Sequence, residues 1–291
     1  MKISPIFYMG NKKRLIQKGL VELFPIDINK FIDLFGGSGI ISMNTKANSY
    51  YINDIDEHLV DLYTLFKNVE CNQIISHIER RIDEFGLPKE DTNRTKYQDK
   101  QKIEEYKKAY MSFRNKYNSE KNTLDFYTLI FFAFSQQFRF NNKGEFNMPC
   151  GNNYFSEKNK EYIIDGCNFF KQSNVCIGKG DFRNLNIELL SIKDFIYLDP
   201  PYLNTTATYN ENGGWNIQDE KDLYKLCEDL NSKGIKFGLS NVFTNKGIQN
   251  EMLIEWCDTN NWNVHTLNSM TYHACGKGDS KSKEVFITNY K

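Results

Sequence analysis

The chain has 291 residues with 37 Lys+Arg against 37 Asp+Glu, so its formal charge is zero and any binding to nucleic acid must come from local patches rather than a polybasic arm. A hydrophobic content of 40% with 14% aromatics is enough for a core and excludes disordered and collagen-like classes. No run approaches the roughly 18 apolar residues of a membrane helix, and Met1 to Leu15 shows no signal-peptide core, so a cytoplasmic location with no membrane partner is expected. The 7 cysteines include no Cys-x-x-Cys pair and no histidine at metal-ligand spacing, so neither a disulfide scaffold nor a metal site is expected.

Taken in chain order, Lys30 to Phe35 and Tyr50 to Ile52 read as strands, with a Gly-rich turn and helix from Gly36 to Lys46 between them. This is a βαβ unit. Residues 92–121 carry nine Lys/Arg against four acids, which fits either a solvated helix face or an inserted helix that follows DNA phosphates. After the apolar run Leu124 to Phe134, Asn141-Asn142-Lys143-Gly144 reads as a hairpin turn between two short arms. Further strands follow at Asp194 to Leu198, Lys236 to Ser240 and Val285 to Thr288, with a helix over Asp219 to Lys233. The expected fold is therefore α/β, a Rossmann-like doubly wound sheet, with residues 1–60 and 171–291 forming the sheet domain and 61–170 an inserted, mainly helical subdomain that carries the hairpin.

Asp33-Leu34-Phe35-Gly36-Gly37-Ser38-Gly39 lies at the carboxyl end of the first core strand, where open α/β sheets bind ligands. The third glycine of the dinucleotide fingerprint is missing, which weighs against a nicotinamide enzyme. Asn53-Asp54-Ile55-Asp56 closes the second strand; a carboxylate there can take both hydroxyls of a ribose, or simply cap a helix. In Asp199-Pro200-Pro201-Tyr202 the two prolines stiffen a turn after a strand and fix a carboxylate and a carbonyl as acceptors. An exocyclic amine offers two N–H donors to such a pair while Tyr202 stacks on its ring.

With these motifs the chain resembles the Dam-like family of DNA adenine-N6 methyltransferases nearly end to end. Tyr8-Met9-Gly10-Asn11-Lys12 is similar to the family's N-terminal cofactor motif, Asp33 to Gly39 to its Gly-rich loop, Asn53 to Asp56 to its acidic motif, and Asp199 to Tyr202 to its Asp-Pro-Pro-Tyr motif. Arg139 to Gly151 resembles its recognition hairpin. The resemblance implies S-adenosyl-L-methionine as cofactor, with contacts from Tyr8, Gly10, Lys12, Asp33, Phe35, Gly36, Gly37, Gly39, Asp54, Ile55, Asp181, Phe182 and Asp199. Lys12 would lie near the cofactor's carboxylate or the adjacent chain, Asp54 on the ribose, and Gly180-Asp181-Phe182 on the adenine.

It further implies that Asp199, Pro200 and Tyr202 hold a flipped adenine for direct attack on the sulfonium methyl, with double-stranded DNA as partner and Arg139, Asn141, Lys143, Asn147 and Pro149 contacting it. Arg139 fits the O6 and N7 of guanine, or a phosphate. Ser135-Gln136-Gln137-Phe138 replaces the Asn-Gly and aliphatic that precede this arginine in many relatives, which leaves the target open between the family's usual GATC and another sequence. Leu203 to Tyr209 and Gly213 to Trp215 are expected around the extruded nucleotide, and Ala274 to Lys283 as a phosphate-contacting or solvated loop. Pro149-Cys150 mimics the nucleophile pair of cytosine-C5 methyltransferases but lies in the hairpin, so Cys150 is read as structural. The role is that of a restriction-system partner, linked genetically to a cognate endonuclease, a phage enzyme or a solitary methylase, and the chain is expected to be a monomer. Other readings are an inactive methyltransferase-like DNA-binding protein and methylation of a non-DNA amine.

Overall fold

The computed structural model describes residues 1–89, 100–203, 214–245, 247–267, 270–271 and 281–291. The start of the basic segment (92–99), Asn204 to Gly213 and Ala274 to Ser280 lie outside them.

After a short helix α1 (Lys13–Gln17), β1 (Lys30–Asp33), α2 (Ile40–Asn44) and β2 (Ser49–Asp54) form the expected βαβ unit. Among the described residues, five helices follow before the next strand: α3 (Glu57–Asn68), α4 (Cys71–Phe85), α5 (Lys100–Glu120), α6 (Thr123–Phe132) and α7 (Glu157–Phe170). The rest of the sheet is β3 (Val175–Lys179), β4 (Phe195–Leu198), β5 (Lys236–Asn245), β6 (Ile248–Gln249), β7 (Asn263–Thr266), β8 (Met270–Thr271) and β9 (Lys281–Thr288), with α8 (Ile217–Ser232) and α9 (Glu251–Asn260) between strands. The strand order is β3-β2-β1-β4-β5-β9-β7, with β6 paired to β5 and β8 to β9.

The strands β1 to β5 run parallel, whereas β9 is antiparallel to both β5 and β7. Successive side chains of a strand point to opposite faces, and here both faces are covered. Phe31, Phe195 and Tyr197 join Phe24, Tyr50 and Phe286 in one core, while Ile32, Ile196 and Leu198 join Leu223, Phe237 and Leu253 in the other. The first core continues without a break into the helical layer through Phe66, Ile74, Tyr110 and Phe126. The expected boundary at 61 falls inside α3, and that at 170 falls at the end of α7.

The hairpin forms as read, though around a single bridge between Phe140 and Phe146 rather than a ladder. Asn141 N–H donates to Glu145 O at 2.9 Å and Asn147 N–H to Arg139 O at 3.0 Å, while Gly144 takes the positive φ of 69° that closes the turn. Helix α5 braces it from behind. The Asn118 amide pairs with both backbone groups of Phe146, at 2.8 and 3.1 Å, and Tyr110 and Arg114 both donate to Met148 O at 3.0 Å.

Candidate active site

Strand β1 ends at Asp33 because the chain must turn: Gly36 N–H donates to Asn53 O at 2.8 Å, drawing the loop across the end of β2. A Cβ on Gly36 would lie 2.7 Å from Ile52 Cγ2 and 2.8 Å from the Tyr63 hydroxyl, so only glycine fits this close approach. Gly37, at φ 52°, then donates its N–H to Asp54 Oδ2 at 2.8 Å. The loop is thus held between the ends of two neighbouring parallel strands.

On the other side of β1, β4 delivers Asp199-Pro200-Pro201-Tyr202 to the same sheet edge, with Ile32 opposite Ile196 and Asp33 opposite Tyr197. These elements enclose a cavity of about 440 Å³, within the ~300–1,000 Å³ typical of small-molecule sites. Tyr8, Gly10, Lys12, Asp33, Phe35, Gly36, Gly37, Asp54, Ile55, Asp181, Phe182, Asp199, Pro200 and Tyr202 all line it. Gly39 stands behind the wall as the N-terminal cap of α2.

Three electrostatic features define the cavity. First, Lys12 Nζ lies 2.8 Å from Asp199 Oδ2 and 5.1 Å from the Tyr202 ring centre, and the Tyr202 hydroxyl donates to Asp199 Oδ1 at 3.3 Å. Burial pulls the ammonium of Lys12 down, but Asp199, with help from Tyr197 and Glu284, holds it above its ordinary range. Burial likewise pushes the Asp199 carboxyl up, against the pull of Lys12 and Tyr202.

Second, Asp33 is 1% exposed, takes a hydrogen bond from the Ser42 hydroxyl on Oδ2 at 2.8 Å, and has no partner on Oδ1. Burial pushes its carboxyl up to about 7, against the Ser42 hydrogen bond and with repulsion from Asp199 and Asp54. Third, Asp54 takes backbone N–H groups on both oxygens, from Gly37 at 2.8 Å and Asp56 at 2.9 Å, yet burial still raises it to about 6. Each of its oxygens keeps a second lone pair.

One end of the cavity is aromatic. Phe35, Phe182 and Trp215 stand with ring centres 5.5 to 5.7 Å apart. Trp215 donates its indole N–H to Glu220, a fully buried carboxylate that also accepts the Tyr224 hydroxyl at 2.8 Å and the Asn241 amide at 3.3 Å. Arg183 lies 4.5 Å over the Phe182 ring and bonds Asp181, Asp219 and Asp222 at 2.9, 2.6 and 2.6 Å. Residues of α8 therefore fasten both Trp215 and the Phe182 turn. The sequence signalled Phe182 but placed Trp215 in a loop around the nucleotide, and it gave no sign of Arg183 or Glu220.

The hairpin residues sit apart from the cavity lining. Arg139, Lys143 and Pro149 are exposed, Asn141 and Asn147 half-buried. Arg139 Nε donates to Asn147 Oδ1 at 2.9 Å, which aims its guanidinium, while the Asn141 side chain is occupied within the turn by Lys143, Glu145 N–H and the Glu145 carboxylate. Just before the hairpin, Ser135 and Gln136 both have positive φ, 55° and 53°, and Gln137 N–H donates to Phe134 O at 3.3 Å. This primed turn, which favours Asn-Gly, holds Phe134 57% exposed. Cys150 does not line the cavity, and burial pushes its thiol up to about 11.

Among the described residues, no cluster of His, Cys, Asp and Glu could hold a metal and no helix is long and apolar enough to cross a membrane.

The chain is 38% identical to the type II methyltransferase M.FokI of Planomicrobium okeanokoites and 35% identical to the modification methylase StsI of Streptococcus sanguinis, matching over 99% of its own length in each case. It spans 43% of the length of each of these proteins. It is 27% identical to the type II methyltransferase M.MjaIII of Methanocaldococcus jannaschii, over 84% of this chain and 86% of that one. Residues 8–271 match the profile of the D12 class N6 adenine-specific DNA methyltransferases. This chain belongs to that family.

Proposed function

We propose that the chain transfers a methyl group from S-adenosyl-L-methionine to N6 of an adenine flipped out of double-stranded DNA. The observation that carries the proposal is that β4 sets Asp199 and Pro200 on the wall of the same cavity that the β1 Gly-rich loop and the β2 acidic turn line. Donor and acceptor groups are then held side by side on rigid strands, and positioning supplies most of the catalysis.

The residues present fit that donor. The unpartnered Oδ1 of Asp33 is a buried acceptor suited to an ammonium group, Asp54 keeps lone pairs for ribose hydroxyls, and the aromatic wall of Phe35, Phe182 and Trp215 suits an adenine ring. The bound cofactor supplies an electrophilic methyl on sulfur. Asp199 and the Pro200 carbonyl accept the two N6 hydrogens, which aims the nitrogen lone pair at that methyl, and Tyr202 stacks on the base. As positive charge develops on N6, the Asp199 carboxylate stabilises it, and the surplus proton leaves only after the methyl has moved. Lys12 pulls the Asp199 carboxyl down against the upward push of its burial. Cys150 plays no part, since its thiol is protonated and away from the cavity.

In this reading residues 61–170 form the target-reading insertion. Arg139 reads a base edge or a phosphate, Asn147 aims it, and Lys143, Asn141, Pro149 and the exposed Phe134 complete the DNA-facing surface. The names of the relatives favour a role beside a restriction endonuclease and hence an intracellular, DNA-associated enzyme. Single-molecule sequencing of unmethylated plasmid DNA, after incubation with protein and S-adenosylmethionine, tests the proposal. N6-methyladenine confined to one short motif is expected; cofactor binding without any modified adenine would overturn it.

A further inference from the structure

The hairpin and the donor cavity meet through a set of rings that the catalytic scheme does not use. In the first arm of the hairpin, residues 138 and 140 share one face and residue 139 the other, as period-two alternation requires. Phe140 stacks on His58 with ring centres 3.7 Å apart and planes within 13°, and Phe138 lies 5.7 Å from Tyr8 and 6.5 Å from His58. Arg139, between them, is exposed on the opposite face.

One support lines the cavity and the other stands just outside it. Tyr8 lines the cavity itself. His58 lies two residues beyond the last of the lining residues Asp54, Ile55 and Asp56, and its N–H donates to Asp56 Oδ1 at 2.9 Å in the cap of α3. The 54–56 turn is thus tied through His58 to the ring of Phe140, the chain neighbour of Arg139.

We infer that His58 is a positioning residue that couples occupancy of the donor cavity to DNA binding, by stacking the target-reading hairpin on the turn that holds the cofactor. The inference rests on the methyltransferase reading above. Coupling between two sites is reciprocal, so it is measured from either side. It also has to be demonstrated as a coupling energy, because adjacency alone does not establish one.

The test compares binding of S-adenosylhomocysteine with and without saturating unmethylated plasmid fragments, in wild type, His58→Ala, His58→Phe and Phe140→Leu. In wild type DNA should tighten S-adenosylhomocysteine by a factor within the usual range of about 5–150-fold. In His58→Ala and Phe140→Leu affinity without DNA should stay within about twofold of wild type while the DNA-induced tightening falls toward one. The aromatic replacement His58→Phe should restore it, an outcome that a general loss of stability does not give. Phe140→Leu keeps apolar bulk at the hairpin and serves where His58→Ala folds poorly. A wild-type tightening factor retained in both stack-breaking variants, or no factor in wild type, would overturn the coupling. Failure of wild type to methylate the plasmid at all would remove the enzymatic reading, and the coupling with it.

Discussion

Lys12 and Asp199 form an ion pair at 2.8 Å between side chains that are only 8% and 16% exposed. Burial raises the Asp199 carboxyl and Lys12 is the main force that pulls it back. In Lys12→Met the carboxyl should rise further, so the acidic limb of kcat against pH should move to higher pH, with turnover recovering as pH increases. An unshifted limb would show that Asp199 does not need Lys12 to stay ionised. Asp199→Asn should cost at least about a hundredfold in kcat at every pH, in line with the loss of one preorganised electrostatic contact.

Asp33 gives a second pH dependence with a defined sign. Its carboxyl is raised from 3.8 to about 7 in the folded chain. Between those values the folded chain holds a proton that the unfolded chain has released, so this group's contribution to stability falls as pH rises through the window and is level above it. A cationic ligand on Oδ1 favours the ionised form. Affinity for S-adenosylmethionine should therefore rise with pH up to about 7 and then level off. Asp54, raised to about 6, adds slope lower in the range, so Asp33→Asn should remove only the upper part. Calorimetric titration between about pH 5.5 and 8.5 checks this, and an unchanged upper limb in the variant would detach Asp33 from the ligand.

The aromatic wall predicts a loss confined to binding. Ring stacking on a base contributes about 1–3 kcal/mol, so Trp215→Ala should raise the S-adenosylmethionine Kd roughly 5–150-fold while kcat at saturation changes little. Glu220→Gln should give a smaller effect of the same kind, since it keeps an acceptor for the indole N–H. A fall in kcat with unchanged Kd would place Trp215 on the methyl acceptor instead.

Much of the sheet was legible because its central strands are buried on both faces and read as unbroken apolar runs ended by Gly or Asp. β3 escaped notice because its Val-Cys-Ile-Gly-Lys sequence lacks such a run, and the Tyr51 side chain occupies the space beside Gly178. The edge strand β7, Asn-Val-His-Thr, is polar and half-exposed and gave no signal either. In the site, each motif was visible locally, but its partners were not. The Lys12–Asp199 pair, the fastening of Arg183 by Asp219 and Asp222 and the His58–Phe140 stack all join segments remote in sequence, and nothing in either segment names the other.

Arg139 predicts a position-specific effect. If it reads guanine, Arg139→Ala should cost about 1–3 kcal/mol at one base pair and relax specificity there, visible in the methylated motifs recovered by sequencing. A uniform loss over all motifs would make it a phosphate contact. Asn147→Ala, which frees the guanidinium from its Oδ1 anchor, should blur the same position more weakly.

The primed turn at Ser135 and Gln136 stores conformational energy, since left-handed backbone in a non-glycine residue costs on the order of 1 kcal/mol. Gln136→Gly should raise the urea midpoint of unfolding accordingly. No gain would mean that the Gln136 side chain offsets the strain in the unliganded protein.

The placement of β1 bears on how the chain comes to be folded during synthesis. One neighbour of Phe31 is Tyr50, close behind it, and the other is Phe195, which emerges only after the whole helical insertion. Until then the Gly-rich loop has no opposite wall, and one edge of β1 stays open to mispairing. Closure of that gap by β4 covers the edge of β1 and brings Asp199 to the loop in a single event, while the far edge of β4 waits for β5 and the aromatic end of the cavity for Trp215.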